Sequence, residues 1–156
     1  YMLLSKILKP QAVRLIVQVD SKKRLLQEIS EIITIYNSDF TPSLAFDALM
    51  NRESLGATGV GNGVALPHAR IKGLNSVAGA FFKLQKPLDF SSVDRKPVDL
   101  IFALFAPEGA GVEHLKALAL VSRTLRDPSI CSKLRANSNA TTMYAILTEN
   151  MSSQAA

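Results

Sequence analysis

Residues that bind metals or form disulfides are scarce in this sequence. It has one cysteine, Cys131, and only two histidines, His68 and His114. A single cysteine excludes an internal disulfide and fits a reducing compartment, so a cytoplasmic protein is predicted. A metal site would need three or four ligands, and two histidines with one distant cysteine supply them poorly. We therefore expect neither a metal nor another cofactor.

Long hydrophobic runs are also missing. No stretch approaches the roughly 20 apolar residues of a transmembrane helix, so no membrane insertion is expected. Lys6, Lys9 and Arg14 interrupt the apolar part of residues 1–20, which argues against a signal peptide. With 47% hydrophobic and 20% charged residues, the composition is typical of a soluble globular protein. The length predicts a single domain over 1–156, with a frayed tail at 151–156.

Strong charge of one sign is lacking as well. The formal net charge of +5 permits an acidic or phosphorylated partner without requiring one. Nucleic-acid binding favours clustered basic and aromatic residues. The tight basic cluster Lys22-Lys23-Arg24 is interpreted instead as the solvated start of a helix. We predict no nucleic-acid partner.

What the chain does have is a dense group of glycines before one of its histidines. Four of its eight glycines fall within residues 56–63. Glycine tolerates positive φ and lets backbone approach a neighbour closely, so this run predicts a shaped loop and not the interior of a helix or strand. Residues 64–66 have some strand character. Pro67 is expected to end any regular ladder, and His68 follows at once on a stiffened backbone.

Apolar spacing and helix caps predict the remaining elements. Strands are expected over 13–19, over 77–84 with a break at Lys86-Pro87, and over 97–106, where a nearly continuous apolar run indicates burial on both faces. Helices are expected from a cap at Asp20 or Ser21 to about 37, from Thr41-Pro42 to about 53, from the turn at 107–111 to 126, from Asp127-Pro128 to about 136 and over 140–149. In the third helix the residues expected to face inward are Leu115, Leu118, Ala119, Ser122 and Leu125. This order predicts a layered α/β domain with a mixed β-sheet.

Three side chains could together handle a phosphoryl group. Neutral imidazole is a nucleophile near neutral pH, so either His68 or His114 could accept the group while the other spreads its charge. His114 is expected near a helix N-terminus, where free N–H groups and the helix dipole favour phosphate. Arg52 offers a planar fork that matches phosphate oxygens. Each signal also has a plainer interpretation, as a structural histidine, a simple loop or a solvated arginine.

Other loop chemistries fit poorly. A nucleotide phosphate loop needs Gly-x-x-x-x-Gly-Lys-Ser/Thr, but no lysine follows these glycines and Pro67 forbids an immediate helix. The dinucleotide pattern Gly-x-Gly-x-x-Gly fails because Gly59-Val60-Gly61 is followed by Gly63 and not by a glycine at 64. Cys131 is a possible nucleophile, but no base lies near it in sequence.

The sequence resembles the fructose/mannitol-type enzyme IIA domains of the bacterial phosphoenolpyruvate-dependent phosphotransferase system, and within them the nitrogen-regulatory branch. The resemblance spans nearly the whole chain. The segments that carry it are Arg52-Glu53-Ser54-Leu55-Gly56, the stretch from Gly59 to the Leu66-Pro67-His68 motif, Ala106-Pro107-Glu108, and Glu113-His114-Leu115-Lys116-Ala117-Leu118.

The resemblance implies a mechanism and a set of site residues. The histidine of the Leu-Pro-His motif, His68, is phosphorylated at Nε2 by an HPr-like or NPr-like phosphocarrier protein, which makes the chain a phosphotransferase component. His114 and Arg52 flank it and stabilise the phosphate. The residues that shape the site are Gly59, Gly61, Gly63 and Pro67. At the three glycines a side chain would keep the donor from the histidine. The implied fold is a mixed β-sheet with helices on both sides.

Two functions remain open. In the first, the phosphorylation state regulates partner proteins, in keeping with the nitrogen-regulatory branch. In the second, a sugar-specific IIA component relays the phosphoryl group to a IIB domain. For the regulatory function we predict a shallow apolar rim around His68, formed by Val60, Val64, Leu66 and Val112, where unidentified target proteins would dock.

Overall fold

The computed structural model describes residues 3–149 in full and residues 150–155 only as part of the last helix. A short 3₁₀ turn, Leu4–Lys6, precedes the first strand. The strands are β1 Leu8–Ile16, β2 Gly59–Gly61, β3 Val64–Ala65, β4 His68–Ile71, β5 Ala78–Leu88 and β6 Val98–Pro107. The helices are α1 Lys22–Ile35, α2 Pro42–Ser54, α3 Gly111–Leu125, α4 Pro128–Ala136 and α5 Ala140–Ala155.

The six strands form one open, mixed sheet, as predicted. Its order is β1-β5-β6-β3-β2, and β4 also pairs with β6. β1 runs parallel to β5, β5 antiparallel to β6, and both β3 and β4 parallel to β6. β6 therefore lies at the centre and supports the strands on either side of Pro67.

Helix starts follow the caps that the sequence predicted. The side-chain oxygens of Ser21, Thr41 and Asp127 accept hydrogen bonds from backbone N–H groups in the first turns of α1, α2 and α4. Each satisfies a donor that has no partner within the helix. α2 and α4 add a proline in the first turn, where its missing N–H costs nothing.

The core lies against β5 and β6. All residues of β6 from Leu100 to Ala106 are buried, as predicted for a strand covered on both faces. α1 packs with α2, while α4 contacts both α3 and α5, and each of the two groups also contacts the sheet. Within the described part of the chain, no helix is long and apolar enough to cross a membrane.

The predicted break at Lys86-Pro87 is wrong, because β5 continues to Leu88. The pairing explains why proline is tolerated there. The pairing with β1 ends at Leu84, and the β6 register shifts between Lys83 and Leu88. Pro87 therefore lies in an irregular stretch with β6 alone beside it, where a missing N–H is cheap.

The buried face of α3 is not the predicted one, because it is rotated about the helix axis. Leu115 is 65% exposed, whereas His114 is buried. The residues that face the core are His114, Ala117, Leu120, Val121, Thr124 and Leu125. The prediction treated Leu115 as a core residue because it is apolar, although the helical repeat of Ala117, Leu120 and Val121 fits the buried face better.

The single-domain organisation over 1–156 stays a prediction. The frayed tail predicted for 151–156 lies outside the residues that are described in full.

Candidate functional site

The glycine segment forms a small hairpin and not the loop that was predicted. β2 pairs antiparallel with β3, and Asn62 and Gly63 make the turn with φ of 56° and 78°. Both values lie in the left-handed region, which asparagine and glycine tolerate best. Asn-Gly is the commonest signal for such a turn, so the sequence contained the hairpin's signature.

The hairpin glycines pack away from the histidines. A Cβ on Gly59 would lie 2.1 Å from Ser92 Oγ, and one on Gly63 would lie 2.5 Å from Arg135 Nη2. At Gly61, where φ is +100°, the nearest side-chain atom is Asp94 Oδ2 at 3.4 Å. These glycines therefore let the hairpin sit against residues 92–99 and α4. Their role in admitting a phosphoryl donor stays a prediction.

His68 begins β4 directly after a pause in the strand pairing. Pro67 interrupts the ladder, since β3 ends at Ala65 and β4 begins at His68, but it does not end it. Both strands keep the same register on β6, and Pro67 O accepts from Leu104 N at 2.9 Å. The pause leaves Leu66 O free to lie 2.8 Å from His68 Nδ1. A carbonyl oxygen only accepts, so Nδ1 carries the proton and the lone pair of the ring is on Nε2.

Arg52 reaches this Nε2 from the last turn of α2. Its Nε–H donates to His68 Nε2 at 3.3 Å, and its Nη1–H donates to Gly56 O at 2.9 Å. The two bonds fix the guanidinium beside the nucleophilic nitrogen of His68. Among the residues described in full, Arg52 forms no ion pair with a carboxylate, so its charge is not neutralised by a neighbouring acid.

His114 lies next to His68, in the first turn of α3. The two imidazole rings are 5.7 Å apart at an angle of 66°. His114 is only 6% exposed, and among the residues described in full its buried Nε2 has no hydrogen-bond partner. Such a polar atom is costly to leave unpaired and points to a missing partner. The structure therefore places Arg52 and His114 beside His68, although they lie far apart in sequence.

Both imidazoles are held in the neutral form. Burial lowers the pKa of His68, and the charge of Arg52 lowers it further, while the bond to Leu66 acts in the opposite direction. Burial also lowers the pKa of His114, helped by His68 and Arg70. A neutral His68 keeps the Nε2 lone pair that a nucleophile needs.

Sequence reasoning missed Arg70. It lies two residues after His68 on β4, and its Nε–H donates to His114 Nδ1 at 3.4 Å. Successive residues of a strand point to opposite faces, so residues 68 and 70 share a face. That spacing was a signal that could have identified Arg70.

A second missed group anchors the end of α2. Glu53 forms a salt bridge with Lys22 at 2.5 Å and a short hydrogen bond with the hydroxyl of Thr58. Lys22 also donates to Phe90 O at 3.3 Å, so it is not the solvated residue that was predicted. Thr58 O in turn accepts from Leu66 N at 2.9 Å. This chain of contacts connects α1 and α2 to the residue whose carbonyl fixes the ring of His68.

The prediction of an exposed apolar rim is wrong for two of its four residues. Val64 and Leu66 are buried because β3 and its end pack into the core. Val60 and Val112 are exposed as expected, at 51% and 64%. Exposed apolar side chains also lie three residues after Arg52, at Leu55, and directly after His114, at Leu115.

Similarity to known proteins covers nearly the whole chain. The model of the family described as phosphoenolpyruvate-dependent sugar phosphotransferase system, EIIA 2, matches residues 6–150. A nitrogen regulatory protein of Bradyrhizobium diazoefficiens is 43% identical over 144 residues, which cover 92% of this chain and 94% of that protein.

Solved structures agree with the fold. The nitrogen regulatory protein IIA-Ntr of Neisseria meningitidis superposes with a TM-score of 0.85 at 38% identity, covering 93% of this chain and 99% of that one. The mannitol IIA protein of Escherichia coli superposes with a TM-score of 0.71 at 18% identity, covering 87% and 96%. The second similarity concerns the fold alone.

Proposed function

The chain belongs to the EIIA 2 family of the phosphoenolpyruvate-dependent sugar phosphotransferase system, and we propose that it accepts a phosphoryl group on Nε2 of His68. The similarity to nitrogen regulatory proteins makes it a nitrogen-regulatory phosphotransfer component. We infer that its phosphorylation state controls which proteins it binds. The donor proposed is an HPr-like or NPr-like phosphocarrier protein.

One observation carries the proposal. The Nε2 lone pair of His68 faces an arginine that forms no ion pair with an acid among residues 3–149, while the opposite ring nitrogen is tied to Leu66 O. The nucleophilic Nε2 of His68 therefore lies beside the guanidinium of Arg52, which can bind a phosphoryl oxygen instead.

The proposed step exchanges one N–P bond for another. His68 Nε2 attacks the phosphorus of the carrier's phosphohistidine, and the bond from phosphorus to the carrier's nitrogen breaks. The electron pair of that bond stays with the carrier's imidazole. The transition state for such a transfer is loose, so position and charge matter more than covalent assistance. Leu66 O holds the Nδ1 proton and stabilises the positive charge that develops on the ring of His68.

Two donors stabilise the transferred group. Arg52 Nε–H already reaches the nitrogen that will carry it. Nε2 of His114, which has no partner in the fully described part of the chain, lies buried on the neighbouring ring, where a phosphoryl oxygen would provide the missing acceptor. Donors that are in place before the reaction cost no reorganisation in the transition state.

The surroundings of the site suit a protein partner. Exposed apolar side chains lie near its residues in sequence, at Leu55, Val60, Val112 and Leu115. By analogy with other phosphorylated side chains, phosphorylation would add about −1.5 to −2 charges near neutral pH. A hydrated charge placed among these side chains would be costly to desolvate. We propose that the unmodified form binds regulated targets and that phosphorylation releases them.

The test begins with phosphoenolpyruvate, enzyme I and an HPr-like carrier, followed by mass spectrometry of the modified residue. Wild-type protein should gain one phosphoryl group on His68, His68→Ala none, and His114→Ala one at a slower rate. Label on His114 of the wild-type protein would contradict the assignment.

A second arm separates regulation from relay. Target proteins captured by the unmodified chain should bind the phosphorylated form and the His68→Asp charge mimic more weakly. Equal affinity for the unmodified and phosphorylated forms would reject the regulatory switch. Rapid loss of the label to an added IIB domain would favour the sugar-specific relay.

A further inference from the structure

Arg70 is a charged residue at the site that the proposed step does not use. Its guanidinium is held by two contacts: Nε donates to His114 Nδ1 at 3.4 Å, and Nη1 donates to Glu108 O at 3.5 Å. Across residues 3–149, no carboxylate forms an ion pair with it. Arg70 therefore donates the hydrogen bond of its Nε to a neutral imidazole.

This contact decides which nitrogen of His114 carries the proton. Guanidinium has five N–H donors and no acceptor, and it does not deprotonate in proteins. A nitrogen that accepts from it must present its lone pair. His114 Nδ1 is therefore unprotonated in the neutral ring, and the proton resides on Nε2, the atom for which residues 3–149 offer no partner.

The two histidines are consequently held in opposite tautomers. Leu66 O fixes the proton of His68 on Nδ1 and leaves a lone pair on Nε2. Arg70 fixes the proton of His114 on Nε2 and covers the lone pair on Nδ1. One ring can therefore attack phosphorus, and the other can only donate a hydrogen bond.

We propose that Arg70 is a positioning residue that holds His114 as a hydrogen-bond donor to the phosphoryl group on His68 and prevents it from acting as a second nucleophile. This inference rests on the proposed function and deepens it. According to this inference, the hydrogen-bond partners of the two adjacent histidines determine which of them is phosphorylated. A partner that fixes the tautomer and orientation of a histidine is known to matter in metal sites for the same reason.

The test reads the tautomer directly. Protein labelled with ¹⁵N in histidine is compared as wild type, Arg70→Gln and Arg70→Lys, using the shifts of the two ring nitrogens of His114. Arg123→Gln, in the last turn of α3, is the matched control because it removes an arginine from the same helix that carries His114. The backbone spectrum of each variant checks that the fold is kept.

In the wild type, His114 should show an unprotonated Nδ1 and a protonated Nε2. Arg70→Gln should give a mixture of tautomers and phosphorylate His68 roughly tenfold more slowly, the lower end of what loss of such a partner costs in metal sites. Arg70→Lys should retain more of the wild-type tautomer and rate, and Arg123→Gln should match the wild type in both.

Two results would overturn the inference: an unchanged tautomer in Arg70→Gln, or a changed tautomer with a wild-type phosphorylation rate. Failure of the proposed function is distinguishable, because wild-type protein would then take no phosphoryl group. The tautomer comparison does not depend on that reaction and would still decide whether Arg70 fixes the ring.

Discussion

Arginines serve opposite purposes in two regions of this molecule. Arg135, in α4, binds Asp99 through two parallel contacts of 2.9 Å and also donates to Asn62 O at 2.8 Å. Arg52 and Arg70, beside the histidine pair, each bind one imidazole and one carbonyl oxygen. Arg135 meets a full opposite charge, and the two arginines of the site meet none within residues 3–149.

This difference in partners distinguishes an arginine that stabilises the fold from arginines that can bind a substrate group. A bidentate carboxylate satisfies a guanidinium and fixes its position, which suits the anchoring of the hairpin to α4. An arginine bound to neutral groups keeps its charge available for an anion that arrives later. The positive charge and the unpaired Nε2 of His114 therefore mark the site more clearly than burial or the glycines do.

The largest expected effect comes from replacing Arg52, the arginine that binds Nε2 of His68. Arg52→Gln should slow phosphorylation of His68 about 10²-fold, the cost of removing one preorganised donor to a developing charge. Rates from a phosphorylated carrier under single-turnover conditions measure it. The free energy of unfolding should change by less than about 1 kcal/mol, because no ion pair is lost.

Arg52→Lys sharpens this prediction. Lysine keeps the charge but not the planar fork, so it should recover only part of the rate. A wild-type rate for Arg52→Gln would show that Arg52 has no part in the transfer and would remove the proposed contrast between the two regions.

Arg135→Gln should give the opposite result. Loss of its contacts to Asp99 and Asn62 should destabilise the fold by about 1–2 kcal/mol, a value reduced because the pair is partly exposed. Urea unfolding measures this change. The phosphorylation rate at temperatures well below the unfolding transition should stay close to wild type. A large loss of rate with unchanged stability would mean that the α4 side of the hairpin belongs to the site.

The smallest effect concerns pH. The pKa of His114 is lowered in the folded protein, so between that value and about 6.5 the unfolded chain binds a proton that the folded chain does not. Stability should therefore fall as pH drops below about 6.5, by at most about 1.4 kcal/mol per pH unit for this group. His114→Gln should flatten the fall in urea unfolding measured at about pH 7.5 and about pH 5.5. An identical pH dependence in the two proteins would contradict a buried, neutral His114.

Local signals predicted much of the fold from the sequence. Ser21, Thr41-Pro42 and Asp127-Pro128 start their helices as expected, because capping depends on residues within one turn. The long apolar run of β6 predicted a strand that is covered on both faces, and this is confirmed. The prediction failed where pairing decides the outcome: nothing near Lys86-Pro87 shows that β5 runs on along β6 in an irregular register.

The site residues also divide into those that the sequence predicted and those that it did not. His68, Arg52 and His114 were identified from the sequence, and the structure brings them together. Arg70 and Glu53 were missed because their partners, His114 and Lys22, are distant in sequence and a charged residue on a strand or helix end is usually solvated. The Asn62-Gly63 turn was missed although its signal was local, because the density of glycines was interpreted as a loop.

The central claim is that the phosphoryl group bonds to Nε2 of His68 between donors from Arg52 and His114. The most direct measurement is ³¹P and ¹⁵N NMR of histidine-labelled protein after phosphorylation by the carrier. We predict one phosphorus coupled to Nε2 of His68, with the Nδ1 proton retained and the Nε2 proton of His114 in a new hydrogen bond. Phosphorus coupled to Nδ1 of His68, or to either nitrogen of His114, would contradict the account.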